Sequence, residues 1–244
     1  MVNKNIQLDI DNFNETLLRN YIIKIYSYMA SSLAITCGIA LLIVSYEPIT
    51  KLFFTVLDDN VIILTGIGIF FIFAPLMFSI YFFWNFNSIT TKNALVLLCI
   101  YAALVGASLA PIGIIYTGES IARTCFICCL LFTSMSFYGY STKRDLTSIG
   151  SLCAMGLIGL LLTSIVNLLL QSTKIHYITS VIGIFIFIGL IAWDTQKIKA
   201  IFYSTTDEAK QKMAIIAALA LYLDIINLFL YLLRFLGREK RINK

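Results

Sequence analysis

Seven long apolar blocks separated by short polar stretches run through this 244-residue chain. A bilayer core about 30 Å thick takes roughly 20 helical residues to cross, so blocks of this length read as membrane spans rather than soluble core helices. They predict crossings near Ile25–Tyr46, Val61–Phe83, Ala94–Tyr116, Ile121–Tyr140, Leu152–Leu170, Ile178–Phe202 and Met213–Leu236. The expected fold class is therefore all-α: a polytopic membrane protein of seven transmembrane helices. Composition agrees, with 59% hydrophobic and 13% charged residues, where soluble domains hold about 45–50% and about 25%.

The predicted organisation is an N-terminal cytoplasmic tail over residues 1–24, a transmembrane domain over 25–236 and a basic C-terminal tail over 237–244. The first 24 residues lack the apolar core of a cleavable signal peptide, so the first span is expected to direct insertion. The net charge of +5 reports orientation rather than nucleic-acid binding. Eight Lys and Arg fall in the N-terminal tail and after the even spans, ten with Lys197 and Lys199 at the end of span six, against two after spans one and five, three with Arg123 at the start of span four. By the positive-inside rule the N-terminus is cytoplasmic. The five basic residues Arg234, Arg238, Lys240, Arg241 and Lys244 oppose this if all seven helices cross. Either the last helix is re-entrant or the tail tolerates the opposite side.

Small residues at Ala102, Gly106 and Ala110, and at Gly156, Gly159, Gly183 and Gly189, read as helix-packing seams. Pro75 interrupts the hydrogen-bond ladder of span two and is a hinge candidate; plain helix curvature is the alternative. The seventh span is apolar on nearly every face, which places it among other helices rather than at the rim. One polar stripe, Asp224, Asn227, Tyr231 and Arg234, falls within an arc of about 80° and would line an interior surface.

Two carboxylates stand out at membrane depth, Asp194 and Asp224. An aspartate at the centre of a spanning helix costs about 2.5–3.5 kcal/mol on insertion scales, so it needs a partner or a wet cavity. The last two helices run antiparallel. Counted from their shared loop, Asp224 lies about 17 Å past Met213 and Asp194 about 12 Å before Phe202. The two carboxyl groups are therefore expected to meet, share one proton and titrate together as a pH sensor. When ionised, their oxygens suit a hard cation such as calcium, with Asn227, Tyr231 and Arg234 supporting the path. A structural polar contact is the plainer alternative.

The cysteines at 125, 128 and 129 are better explained as small buried hydrophobes than as a metal or redox site, because no second pair of ligands accompanies them. His176, near a loop, reads as interfacial. Glu119 and Arg123 sit at i, i+4 and are placed to pair. Paired aspartates on successive spans also suggest an intramembrane aspartyl protease. However, Leu221, Tyr222 and Leu223 precede Asp224 where such enzymes carry Gly-x-Gly.

At these positions the chain resembles the transmembrane Bax inhibitor motif family, in its bacterial YccA-like branch. The likeness covers roughly residues 20 to 236. It is carried by Ser120-Ile121-Ala122-Arg123-Thr124, by Tyr138-Gly139-Tyr140 leading to Lys143-Arg144-Asp145-Leu146, by Ala192-Trp193-Asp194-Thr195-Gln196, and by Ala220-Leu221-Tyr222-Leu223-Asp224-Ile225-Ile226-Asn227. The resemblance implies six helices around a central seventh. It also implies a non-enzymatic, pH-sensitive calcium leak governed by an aspartate pair matching Asp194 and Asp224, with calcium as the transported ion and no cofactor. The second-helix arginine that latches the pair in a relative has no counterpart, since span two holds no basic residue. The branch implies a bacterial inner (plasma) membrane. The expected partners are the lipid bilayer, calcium ions and a membrane protein such as a protease, but no nucleic acid. Modulation of a membrane protease or of a cell-death or stress pathway is the alternative function.

Overall fold

The computed structural model describes the backbone of residues 2–57, 61–85 and 88–240, and their side chains except at 2–13, 56–57, 61–62, 83 and 207–208. The elements are α1 (Val2–Ser45), α2 (Glu47–Phe53), β1 (Phe54–Leu57), β2 (Val61–Leu64), α3 (Gly66–Asn85), α4 (Thr91–Ile115), α5 (Gly118–Ser141), α6 (Thr147–Leu170), α7 (Thr173–Ser204) and α8 (Asp207–Leu236). Short side chains with hydroxyls start several of them. Thr90, Thr117 and Ser172 accept from the backbone amides of Asn93, Ser120 and Ile175, satisfying donors that have no intrahelical partner.

Among the described residues six helices are long and apolar enough to cross a membrane: Asn14–Ser45, Thr91–Ile115, Gly118–Ser141, Thr147–Leu170, Thr173–Ser204 and Ala209–Leu236. By length and composition six of the seven expected crossings are present. The difference lies in the second apolar block, whose described apolar helix is the shorter Gly66–Phe82. Its first residues are not helical. Val61–Leu64 pair antiparallel with Phe54–Leu57, Phe54 opposite Leu64 and Thr55 opposite Ile63. A short apolar run rich in β-branched residues fits a strand as well as a helix, so hydrophobicity alone merged the hairpin with the helix behind it. Thr65 then starts α3 by accepting from the Gly68 amide at 3.1 Å. The helix of α1 also extends upstream through most of the segment expected to be a tail.

Side-chain contacts fix the helix directions. Thr36 of α1 donates to the Ala102 carbonyl of α4, and further along Val44 packs at Gly113, so α1 and α4 run parallel. Tyr222 of α8 stacks edge-on against Tyr101 while Gly237 meets Tyr116, so α8 runs parallel to α4 as well. Cys128 reaches Ile225 and Ser120 reaches Arg238, so α5 is antiparallel to α8. In α8 the most apolar window is 56% buried, against 11% for α6. This helix is the centre of the bundle, touching α1, α4, α5 and α7. The α6 face carrying Leu152, Met155, Leu161, Leu162 and Ile165 is exposed, as expected of a surface solvated by lipid tails.

The re-entrant alternative for the last helix does not apply. At 1.5 Å per residue, the 30 residues of α8 span about 45 Å without a break. The chain then docks on the α4–α5 connection: Arg238 accepts from the Thr117 amide and the Lys240 amide donates to Ile115.

Candidate functional site at the α7–α8 contact

Backbone proximity at the site comes from residues without bulk. A Cβ added at Gly139 of α5 would stand 2.2 Å from the Ala192 carbonyl oxygen, and one at Gly150 of α6 would stand 2.2 Å from the Trp193 ring. Only glycine allows these helices so close. They hold the turn of α7 carrying Asp194 from two sides, while Gln196 pins the α5–α6 connection by accepting from the Leu146 amide and donating to the Arg144 carbonyl.

Opposite this turn, α8 presents Asp224, only 6% exposed. Its neighbours anchor it. Tyr222, fully buried, forms a 2.7 Å hydrogen bond with Thr36, and the Cys128 thiol donates to the Ile225 carbonyl. The carboxyl groups of Asp194 and Asp224 are neighbours, close enough to act on one another. The Oδ2 atom of Asp224 is buried and meets no protein donor among the described residues. Two carboxylate groups have only acceptors to offer one another, so a proton or a cation between them is what satisfies the arrangement. Lys197, one turn along α7, is the cation whose field reaches Asp194.

The other residues singled out from the sequence lie elsewhere. Asn227 donates to the Leu223 carbonyl of its own helix. Tyr231 stacks on Phe187 at 5.7 Å between ring centroids and fills the space left by Gly183. Arg234 is exposed, its guanidinium 5.5 Å from the Tyr231 ring. Pro75 sits within α3, which packs on α2 and α4. The three neighbouring cysteines diverge, Cys128 facing in and Cys125 and Cys129 facing out. Glu119 and Arg123 pair at 2.8 Å. Gly156, Gly183 and Gly189 lie in seams, whereas Gly159 has nothing within 4 Å of a built Cβ.

Sequence reasoning missed the hydroxyl groups around the pair. Tyr26 of α1 is hydrogen-bonded to Ser136 of α5, and Ser136 lies 3.1 Å from Thr195 of α7, tying three helices together beside Asp194. The signal was the occurrence of Ser136 and Thr195 among otherwise apolar neighbours, where an unpaired hydroxyl costs energy in lipid.

The family described as inhibitor of apoptosis-promoting Bax1 matches residues 18–241. The chain belongs to the Bax inhibitor family. An uncharacterized protein of Rickettsia prowazekii (strain Madrid E) is 52% identical over 224 residues, covering 91% of each chain. The inner membrane protein YbhL of Escherichia coli (strain K12) is 37% identical over 226 residues, covering 91% of this chain and 93% of its own. An uncharacterized protein of Caulobacter vibrioides is 36% identical over 225 residues. This Bax inhibitor family member is an integral, multi-pass membrane protein whose central helix carries the more deeply buried aspartate of the pair.

Proposed function

We propose that this Bax inhibitor family protein is a pH-sensitive calcium leak in which Asp194 and Asp224 are both the proton sensor and the cation site. The single observation that carries the reading is the buried Asp224 carboxyl group, which neighbours that of Asp194 and whose Oδ2 meets no protein donor among the described residues. A proton shared by the pair ties α7 to α8. Its loss leaves two like charges that separate or take up a cation. Calcium needs 6–8 oxygen ligands, and two carboxylates offer four at most. The rest must come from water and backbone, which suits a site an ion passes through rather than one it stays in. No catalytic step is invoked.

The topology that goes with this reading has seven crossings and a cytoplasmic N-terminus in a bacterial inner membrane. Its support is the parallel course of α1 and α4, because a chain that crosses twice in one direction returns in between. The segment available for the return is α3, whose exposed face is apolar at Phe70, Phe73, Met77 and Ile80.

The test is calcium flux into liposomes holding the purified protein, measured against pH. Flux is expected to rise with pH through the titration of the pair, by at most about tenfold per pH unit for one proton. Asp194→Asn and Asp224→Asn are each expected to change the flux and flatten its pH profile. A profile unaltered in both variants refutes the reading.

A further inference from the structure

On the outside of the bundle, α1 and α5 leave a groove of about 570 Å³ with α7 at its floor. Met29 and Leu33 of α1, Phe132 and Phe137 of α5, and Ile198 of α7 form its walls, and Phe137 is 71% exposed at the rim. Three of the hydroxyls inside it, on Tyr26, Ser136 and Thr195, are hydrogen-bonded to one another. They are satisfied without water, and the surface they leave is apolar.

One end is different. Arg19 lines it and forms no ion pair among the described residues. Because α1 runs antiparallel to α5, Tyr140 lies at that same end. Lys199 donates to the Tyr140 carbonyl and stands 4.0 Å from the centroid of its ring. The Lys199 ammonium is thereby engaged, and an apolar trough with the Arg19 guanidinium at one mouth is complementary to an anionic amphiphile.

We propose that this groove is a binding site for an anionic phospholipid, its acyl chain lying along Met29, Leu33 and Phe132 and its phosphate at Arg19. A partner helix is a poor occupant. One turn of helix about 10 Å wide displaces roughly 400 Å³, so the groove admits little more than a turn. A single acyl chain is slender, is supplied by the surrounding bilayer, and brings a phosphate that guanidinium binds through two hydrogen bonds. The site is independent of the calcium reading, since it involves neither aspartate.

Native mass spectrometry of the full chain in detergent, with added palmitoyl-oleoyl phosphatidylglycerol or the phosphatidylcholine of the same chains, tests it. The wild type should retain one phosphatidylglycerol, favoured about fivefold over phosphatidylcholine, which is what one basic residue contributes near a lipid headgroup. Arg19→Gln should lose that preference while still holding lipid. Cys129→Trp, which fills the groove from an exposed position, should lose both lipids; Thr133→Phe on the same wall serves if the tryptophan variant does not fold. Leu162→Trp on the lipid face of α6 should bind as the wild type does. Inorganic phosphate should leave the lipid in place. Displacement by phosphate, a preference intact in Arg19→Gln, undiminished binding in the groove-filling variants, or a dimeric chain free of lipid would each overturn the proposal.

Discussion

Gly139 is the residue on which the geometry beside Asp194 most depends, because a side chain there meets backbone rather than a flexible tip. Gly139→Ala is expected to cost about 1–3 kcal/mol, the range for overpacking a tight contact. Gly159→Ala, in open space, should be neutral or mildly stabilising, because alanine is the better helix former. Thermal unfolding of the two variants in one detergent checks the contrast, and equal midpoints would remove the close approach from the account. Outside the membrane, Asp145 accepts from the Thr147 hydroxyl at 2.6 Å and its amide at 2.9 Å, and these bonds hold the carboxyl below the usual aspartate range. A lowered value means the contribution is present above the range where a free aspartate titrates, near pH 4. It is lost as pH falls through the lowered value. Asp145→Asn should therefore reduce the thermal midpoint at neutral pH and leave it nearly unchanged in strong acid.

At the scale of elements, the contact between the tail and the α4–α5 connection is the clearest case of one segment completing another. Beyond the backbone bonds at Thr117 and Ile115, the Arg238 amide donates to the Ser120 hydroxyl. The Lys240 ammonium caps the Gly113 carbonyl in the last turn of α4, where a cation also suits the helix dipole. Deleting residues 237–244 should speed hydrogen exchange of the Thr117 amide by about tenfold or more, with the interior amides of α4 unchanged. How much of this was legible in the sequence follows from cost. Asp194 and Asp224 stood out because a carboxylate at membrane depth is expensive, and the central position of α8 followed from its being apolar all round. The hairpin at β1 and β2 was hidden because Val61–Leu64 carries no periodicity to separate strand from helix. The bonds of Tyr26, Ser136 and Thr195 were hidden because hydroxyls are inexpensive and their partners lie far apart in the chain. The tail contact was hidden because it is made by backbone, which composition does not describe.

For the molecule as a whole, the arrangement of parallel and antiparallel helices is a statement about sides. The tail and the α4–α5 connection are hydrogen-bonded and so share a side, while α5 carries the chain from that connection to the loop at Thr142. In a cysteine-free background, Gly118→Cys and Glu239→Cys should react with an impermeant thiol reagent from the same face of the membrane and Thr142→Cys from the opposite one. Labelling of all three from one face would break the helix directions described above. The central place of α8 also bears on how the molecule is made. The central helix follows α1, α4, α5 and α7 in the chain, so the helices packed on it are made before it is. In that interval Asp194 has no Asp224 to meet. A chain that stalls before α8 would show the membrane a bare acidic group and an empty centre.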